Sequence, residues 1–373
     1  MPQTKTINIL GVTGSIGCAA ADVIAANPGT FEVNLVSAHE DEAGLREAAQ
    51  RLGAKHALLT SRDSLDAPLE TPVDVTLCAI SGMAGLLSMM RAIESSGAVA
   101  IANKEPLVAA GALVMAHAAK HGTTLLPVDS EHNAIFQVFD FEKRTAIEKI
   151  ILTASGGPFR TWSLEQMSRA TLEQALAHPN WSMGKKISID SATMMNKALE
   201  VIEAHYLFDL APEAIEVVIH PQSIVHSMVE YCDGSLLAQL GASDMRTPIA
   251  NVLNWPERLK TPGQRLDVKA LSTLEFEAPD FERFPALAMA YECLARGPYA
   301  CVALNAANEV AVEHFLGGYI GFAGILEAVG YSLQQAAPTE LPTINDIQKY
   351  DEHIRALTTA YIKNGATQTA VSG

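Results

Sequence analysis

A chain of 373 residues, 49% hydrophobic and 18% charged, holds a sizeable core in about two or three domains and is too apolar to be a disordered polymer. Its 26 basic residues face 42 acidic ones, and the net charge of −16 excludes a broad electrostatic footprint for nucleic acid or an anionic membrane surface. Any phosphate-bearing ligand must then be captured by a local positive site. The cysteines Cys18, Cys78, Cys232, Cys293 and Cys301 are dispersed without CxxC spacing and read as reduced thiols. Met-Pro-Gln-Thr-Lys leads straight into a strand without a basic and apolar leader, and no apolar run approaches transmembrane length. The expectation is a soluble, cytoplasmic protein.

Residues 6–10 and 31–36 read as strands, with helices over 15–26 and 41–52; Leu45, Ala48, Ala49 and Leu52 share one face of the latter. Further β-rich runs at 73–79, 99–102 and 124–128 alternate with helices over 83–95 and 107–121. Fully apolar strands joined by helices predict α/β architecture, a Rossmann-like doubly wound parallel sheet over 1–128. A central α+β domain is expected over 129–255. It has a strand at 147–153, a flexible lid loop at about 155–186 and a helix over 192–204. Runs at 224–231 and 236–240 flank the hairpin signal Cys232-Asp-Gly-Ser235. Residues 256–285, with Pro256, Pro262, Pro279 and Pro285, read as a linker, 286–363 as a C-terminal helical bundle, and 364–373 as a frayed tail.

Gly11-Val-Thr-Gly14-Ser-Ile-Gly17 follows the first strand and opens the first helix. Glycines there let backbone N–H groups approach a pyrophosphate; the competing reading is a turn that needs small residues for packing. The second strand ends in Ser37-Ala38-His39-Glu40. An acidic residue in this place accepts from the ribose 2′-hydroxyl of NAD and repels a 2′-phosphate, unless His39 compensates.

Asp129-Ser130-Glu131 closes the apolar run 125–128. Read as extended chain, its two carboxylates point to one side and call for a cation between them. Hard oxygen donors suit Mg2+ or Mn2+, and the alternative is a solvated turn. Ser191 is placed to cap a helix on which Asn196, Lys197 and Glu200 share a face; the alternative is a solvated Lys197–Glu200 pair. The loop from Ser155-Gly-Gly-Pro-Phe159 to His178-Pro-Asn-Trp-Ser-Met-Gly184 has glycines at both ends and suits a lid over a ligand. Trp181 also reads as a core aromatic, and His178 as an ordinary loop histidine. Ser155, Ser191, Asn196 and Lys197 supply the donors and the cation that a phosphate needs, and Glu200 could complete a cation site with Asp129 and Glu131.

These segments, with Ala102-Asn-Lys-Glu105, Pro127-Val-Asp-Ser-Glu-His-Asn133, Met194-Met-Asn-Lys197, His220-Pro-Gln-Ser223, Asp244-Met-Arg-Thr-Pro248 and Ala303-Leu-Asn-Ala-Ala-Asn-Glu309, resemble the 1-deoxy-D-xylulose 5-phosphate reductoisomerase family in the right order over nearly the whole chain. The resemblance implies an enzyme of the non-mevalonate isoprenoid pathway. It would convert 1-deoxy-D-xylulose 5-phosphate and NADPH into 2-C-methyl-D-erythritol 4-phosphate, as a homodimer. It also implies Asp129, Glu131 and Glu200 as metal ligands, and Lys104 and Glu131 as catalytic groups against the substrate beside Ser130. Ser155, Ser191, Asn196 and Lys197 would receive the phosphate, with His178 and Trp181 closing from the lid. Thr13, Gly14, Ser15, Ile16, Asn103, Glu105 and Gly184 would line the NADPH, with Ala38, His39 and Glu40 at its ribose. The family usually carries a Gly-Lys-Asn-like stretch where this chain has Ala38-His39-Glu40, which predicts weakened discrimination against NADH. An ordinary two-domain dehydrogenase would need a nucleophilic cysteine or a His–carboxylate pair instead, and would leave the three carboxylates unexplained.

Overall fold

The computed structural model describes residues 4–181 and 183–371; one residue of the expected lid and the last two of the expected tail lie outside the described residues. In chain order the first elements are β1 (Lys5–Leu10), α1 (Ser15–Ala25), β2 (Phe31–Ala38), α2 (Glu42–Leu52), β3 (His56–Leu59), α3 (Asp66–Leu69), β4 (Val73–Cys78), α4 (Leu86–Ser95), β5 (Ser96–Ile101), α5 (Glu105–His121), β6 (Thr124–Pro127) and α6 (Ser130–Val138). There follow β7 (Ile147–Ala154), α7 (Leu164–Ser168), α8 (Leu172–Leu176), α9 (Lys185–Ala192), α10 (Met195–Phe208), β8 (Ile215–Ile219), β9 (Val225–Tyr231), β10 (Leu236–Leu240) and α11 (Arg246–Asn254). The chain closes with α12 (Ala286–Arg296), α13 (Pro298–Leu316), α14 (Phe322–Gln335) and α15 (Ile344–Val371). No helix among the described residues is long and apolar enough to cross a membrane.

The chain divides into two compact units. The first comprises 1–106, 114–148 and 224–272. Its centre is a parallel six-stranded sheet in the order β3-β2-β1-β4-β5-β6. Apolar residues on one face of the sheet, among them Ile7, Ile9, Val33, Val36, Val75, Leu77 and Ala100, are buried together with Val23 of α1 and Ile249 and Leu253 of α11. A buried polar thread links neighbouring strands. Asn34 Nδ2 donates to Asn8 Oδ1 at 2.9 Å, Asn8 Nδ2 to Thr76 Oγ1 at 3.1 Å, and Thr76 Oγ1 pairs with Ser96 Oγ at 2.8 Å. It joins β2, β1, β4 and β5, and breaking one link would leave a buried polar group unpaired. The edge strand β3 escaped the sequence reading because His56 and Ala57 are exposed and the strand is only four residues long. The hairpin expected around Cys232 is present, with β10 antiparallel to β9.

The second unit comprises 107–113, 149–223 and 273–373. Here β7 pairs in parallel with β8, from Ile150↔Ile215 to Ala154↔Ile219. Helix α13 is apolar nearly all round and correspondingly buried along its length, as a central helix must be, and α12, α14 and α15 pack on it. Its polar residues have structural partners. Asn308 Nδ2 donates to Asp190 Oδ1 at 2.8 Å, and Lys186 of α9 pairs with the same carboxylate at 2.8 Å. Helix α9 is thereby fixed against α13.

Candidate active site

The first unit offers a dinucleotide crevice. The turn from β1 into α1 lies at the carboxyl ends of β1 and β4, where the strand order reverses, the usual ligand position in open α/β sheets. Gly11 has φ +92°, and a Cβ there would stand 2.6 Å from the Ala79 carbonyl oxygen; a Cβ on Gly17 would meet the Gly11 oxygen at 2.3 Å. These two positions exclude any side chain. Gly14 is the N-cap of α1 and has no side-chain cap, so its first N–H groups are available to an anion, with Gly14 and Ser15 exposed and Thr13 and Ile16 half-buried. At the end of β2, Ala38 is buried. The His39 and Glu40 side chains are 74% and 80% exposed, with 3.9 Å between His39 Nε2 and Glu40 Oε1. His39 Nδ1 is engaged with Thr60 Oγ1 at 3.1 Å, which holds the imidazole at the strand end.

The same unit carries the first carboxylates. Asn103 Nδ2 donates to the carbonyls of Ile80 at 2.5 Å and Gly82 at 2.8 Å, tying the ends of β4 and β5 together. Lys104, only 6% exposed, follows it and donates to Asp129 Oδ2 at 2.7 Å; Glu105, also buried, opens α5. Asp129, Ser130 and Glu131 are not extended. Strand β6 ends at Pro127, Asp129 is the N-cap of α6, and its Oδ1 accepts from the Glu131 N–H at 3.2 Å. The acidic pair therefore sits on a helix N-terminus, where the helix dipole and unpaired N–H groups favour negative charge. The extended reading failed because the Asp cap ends the strand one residue early and turns the chain into α6. Ser130 Oγ donates to Glu131 Oε2 at 2.5 Å. Two neighbours that sequence reasoning left without a role hold this turn. Fully buried His132 faces Asp129 Oδ1 with Nδ1 at 3.2 Å, and Asn133 Nδ2 donates to the Pro127 carbonyl at 3.0 Å and Asn251 Oδ1 at 3.1 Å. Their spacing of three and four residues from Asp129 was the available signal.

The second unit carries the residues expected to receive a phosphate. Gly156 and Gly157 have φ +83° and +68°, and a Cβ on Gly157 would stand 2.6 Å from the Ser191 carbonyl oxygen. The loop after β7 thus lies directly on the end of α9. Ser191 does not cap a helix N-terminus; it occupies the last turn of α9. The single helix expected over 192–204 is broken at Met194, whose φ of +61° lets α10 start in a new direction, with Thr193 Oγ1 accepting from the Met195 N–H at 3.3 Å. Asn196, Lys197 and Glu200 do share a face of α10. Lys197 Nζ and Asn196 Nδ2 each donate to the Glu200 carboxylate. This is no solvated surface pair, since the Lys197 and Glu200 side chains are 4% and 1% exposed. Burying such a pair costs desolvation, which weighs against a purely stabilising purpose.

His178 packs against Ser155. Its Nδ1 accepts from the backbone N–H groups of Asn180 at 3.2 Å and Trp181 at 3.0 Å, so its proton resides on Nε2. Nε2 then donates to Ser155 Oγ at 2.9 Å. Burial holds the imidazole neutral by lowering its pKa to about 4. Ser155 Oγ also accepts from the Gly157 N–H at 3.1 Å. With both lone pairs engaged, the Ser155 hydroxyl is left as a donor, the polarity that a phosphate oxygen requires. Gly184, the N-cap of α9, and Trp181 also stand in this unit.

Residues 7–70 and 59–111 match the family model of 1-deoxy-D-xylulose 5-phosphate reductoisomerase, 125–208 that of its C-terminal domain, and 240–357 that of the DXP reductoisomerase C-terminal domain. The 1-deoxy-D-xylulose 5-phosphate reductoisomerase of Zymomonas mobilis is 46% identical over 385 residues, covering 98% of this chain and 99% of the relative. The chain belongs to the 1-deoxy-D-xylulose 5-phosphate reductoisomerase family. The structure of the Zymomonas mobilis reductoisomerase in complex with NADPH superposes with a TM-score of 0.91 at 44% identity, over 96% of this chain and 99% of that one. A DOX-P reductoisomerase in complex with NADPH, fosmidomycin and magnesium also gives 0.91, at 40% identity over 96% and 98%. Of the reductoisomerase motifs quoted above, only His220-Pro-Gln-Ser223 falls outside the matched segments.

Proposed function

We infer that this chain is an NADPH- and divalent-metal-dependent oxidoreductase that rearranges and reduces 1-deoxy-D-xylulose 5-phosphate to 2-C-methyl-D-erythritol 4-phosphate, serving the non-mevalonate isoprenoid pathway. The observation that carries it is a chain-long match to reductoisomerases coinciding with ionic side chains buried at the matching positions, Lys104 at 6% and Glu200 at 1% exposure. Asp129, Glu131 and Glu200 are the proposed metal ligands. All three offer hard carboxylate oxygens, so the donor set fits Mg2+ or Mn2+. The bound metal would supply Lewis acidity to the substrate's ketone and adjacent hydroxyl, and NADPH the hydride. The residues do the rest. Ser155, Ser191, Asn196 and Lys197 hold the phosphate, Lys104 stabilises developing oxyanion charge, and Glu131 moves protons at the α6 N-terminus. Trp181 and the loop around it exclude water from the aldehyde.

The direct test is NADPH oxidation on adding 1-deoxy-D-xylulose 5-phosphate, with and without chelator, run beside NADH. No oxidation with metal restored would end this reading. Glu40 sharpens the cofactor arm. Its exposed carboxylate opposes a 2′-phosphate and suits a ribose 2′-hydroxyl, so Glu40→Asn is expected to lower the NADPH KM about three- to fivefold and to raise the NADH KM, the scale of an exposed charge pair. Equal NADPH constants in the two proteins would remove Glu40 from specificity.

A homodimer in the cytoplasm belongs to the same proposal. Leu236, Leu237 and Leu240 are 48%, 48% and 41% exposed on β10, which has β9 as its neighbour at the sheet edge. An apolar edge strand of this kind favours a covering partner. Sedimentation equilibrium is expected to return twice the chain mass at micromolar concentration; a monomer there would contradict it. Cys78, Cys293 and Cys301 are buried and unbridged, in keeping with a reducing compartment.

A further inference from the structure

The side chain of Asn180 has no part in the reading above, yet it joins the segment that carries His178 to the turn after β8. Its Nδ2 donates to the Pro221 carbonyl at 2.6 Å and to Ser223 Oγ at 2.9 Å. Ser223 is a buried non-glycine residue at φ +52°, a conformation that persists where surrounding contacts impose it. Two of those contacts are the Ser223 N–H to the His220 carbonyl at 3.0 Å and the His220 N–H to the Ala154 carbonyl at 2.7 Å. The turn that receives Asn180 is thus fixed to the same end of β7 that presents Ser155. From the other direction, the Asn180 backbone N–H is one of the two that set the His178 tautomer.

We propose that Asn180 is a positioning residue for the phosphate seat. Through Pro221 and Ser223 it latches the loop so that His178 meets Ser155 as an Nε2–H donor, leaving the Ser155 hydroxyl to donate to a phosphate oxygen. The inference rests on Ser155 and His178 serving the substrate phosphate. Without the latch, Ser155 loses one incoming N–H, its hydroxyl can turn inward, and the seat no longer presents only donors to a group that only accepts.

The test is steady-state kinetics of the full-length protein with 1-deoxy-D-xylulose 5-phosphate, and inorganic phosphate as a competitive inhibitor. Asn180→Ala is expected to raise the substrate KM and the phosphate Ki together by about tenfold, the effect of one to two lost hydrogen bonds. kcat falls less than KM rises, and the NADPH KM and melting temperature hold, which shows the variant folded. In a Ser223→Ala background the same change must cost less, because the shared hydrogen bond is already gone. A rise in KM without a rise in phosphate Ki, or strictly additive effects of the two substitutions, would overturn the latch. So would an Asn180→Ala protein that matches wild type. A wild-type chain without substrate-dependent NADPH oxidation would sink the functional reading and this inference with it.

Discussion

Glu200→Gln is expected to lower turnover by about three orders of magnitude, the loss of roughly 4 kcal/mol of transition-state stabilisation that a metal ligand can supply. The substitution preserves shape but replaces one acceptor oxygen with an NH2 donor facing Asn196 or Lys197, so the loss reports the charge together with one hydrogen bond. It should also destabilise the fold. Lys197 and Glu200 are 4% and 1% exposed, and removing one member leaves a buried ammonium without its counter-charge. That penalty is about 3–5 kcal/mol, visible as a melting temperature lower by several degrees. The two effects can be separated. A Lys197→Met, Glu200→Gln double variant removes both charges and should recover most of the lost stability, yet regain none of the turnover. Turnover of Glu200→Gln within tenfold of wild type would mean that the pair is structural and the cation is held elsewhere.

How much of this was legible beforehand follows from which interactions are local. The glycine turn could be read because each glycine answers a local demand: Gly11 for a left-handed φ, Gly17 for the 2.3 Å approach a Cβ would make to the Gly11 oxygen. The α10 face was legible for the same reason, since the spacing of three and four residues is intrinsic to a helix. Its depth was not. The pattern Asn196-Lys197-Glu200 looks the same on a solvated helix, and only packing against distant parts of the chain buries it. The error at Asp129–Glu131 had another source. Alternation and capping compete at the end of β6, and the Asp side chain settles the matter by accepting the Glu131 N–H. The break at Met194 had no signal at all. A methionine at φ +61° violates its own propensity, and such violations cluster where surrounding structure imposes them for a purpose. The contact of Ser155 with His178 spans 23 residues, and that of Asn180 with Ser223 spans 43, beyond any periodicity.

Lys104→Met should cost about a hundred- to a thousandfold in turnover, on the scale of losing one preorganised donor to a developing oxyanion. The NADPH affinity should hold, because Asn103, which ties the ends of β4 and β5 through Ile80 and Gly82, is untouched. The competing account is that Lys104 exists only to neutralise Asp129, 2.7 Å away and itself 13% exposed. Both accounts predict a damaged Lys104→Met protein, so the informative variant is Lys104→Arg. Arginine keeps the charge and can still pair with Asp129, but its planar guanidinium stays protonated throughout and cannot offer a single compact ammonium to the substrate. Thermal stability should therefore return in Lys104→Arg while turnover stays at least about tenfold down. Full recovery of turnover would reduce Lys104 to a counter-ion of Asp129, and oxyanion stabilisation would fall to other groups.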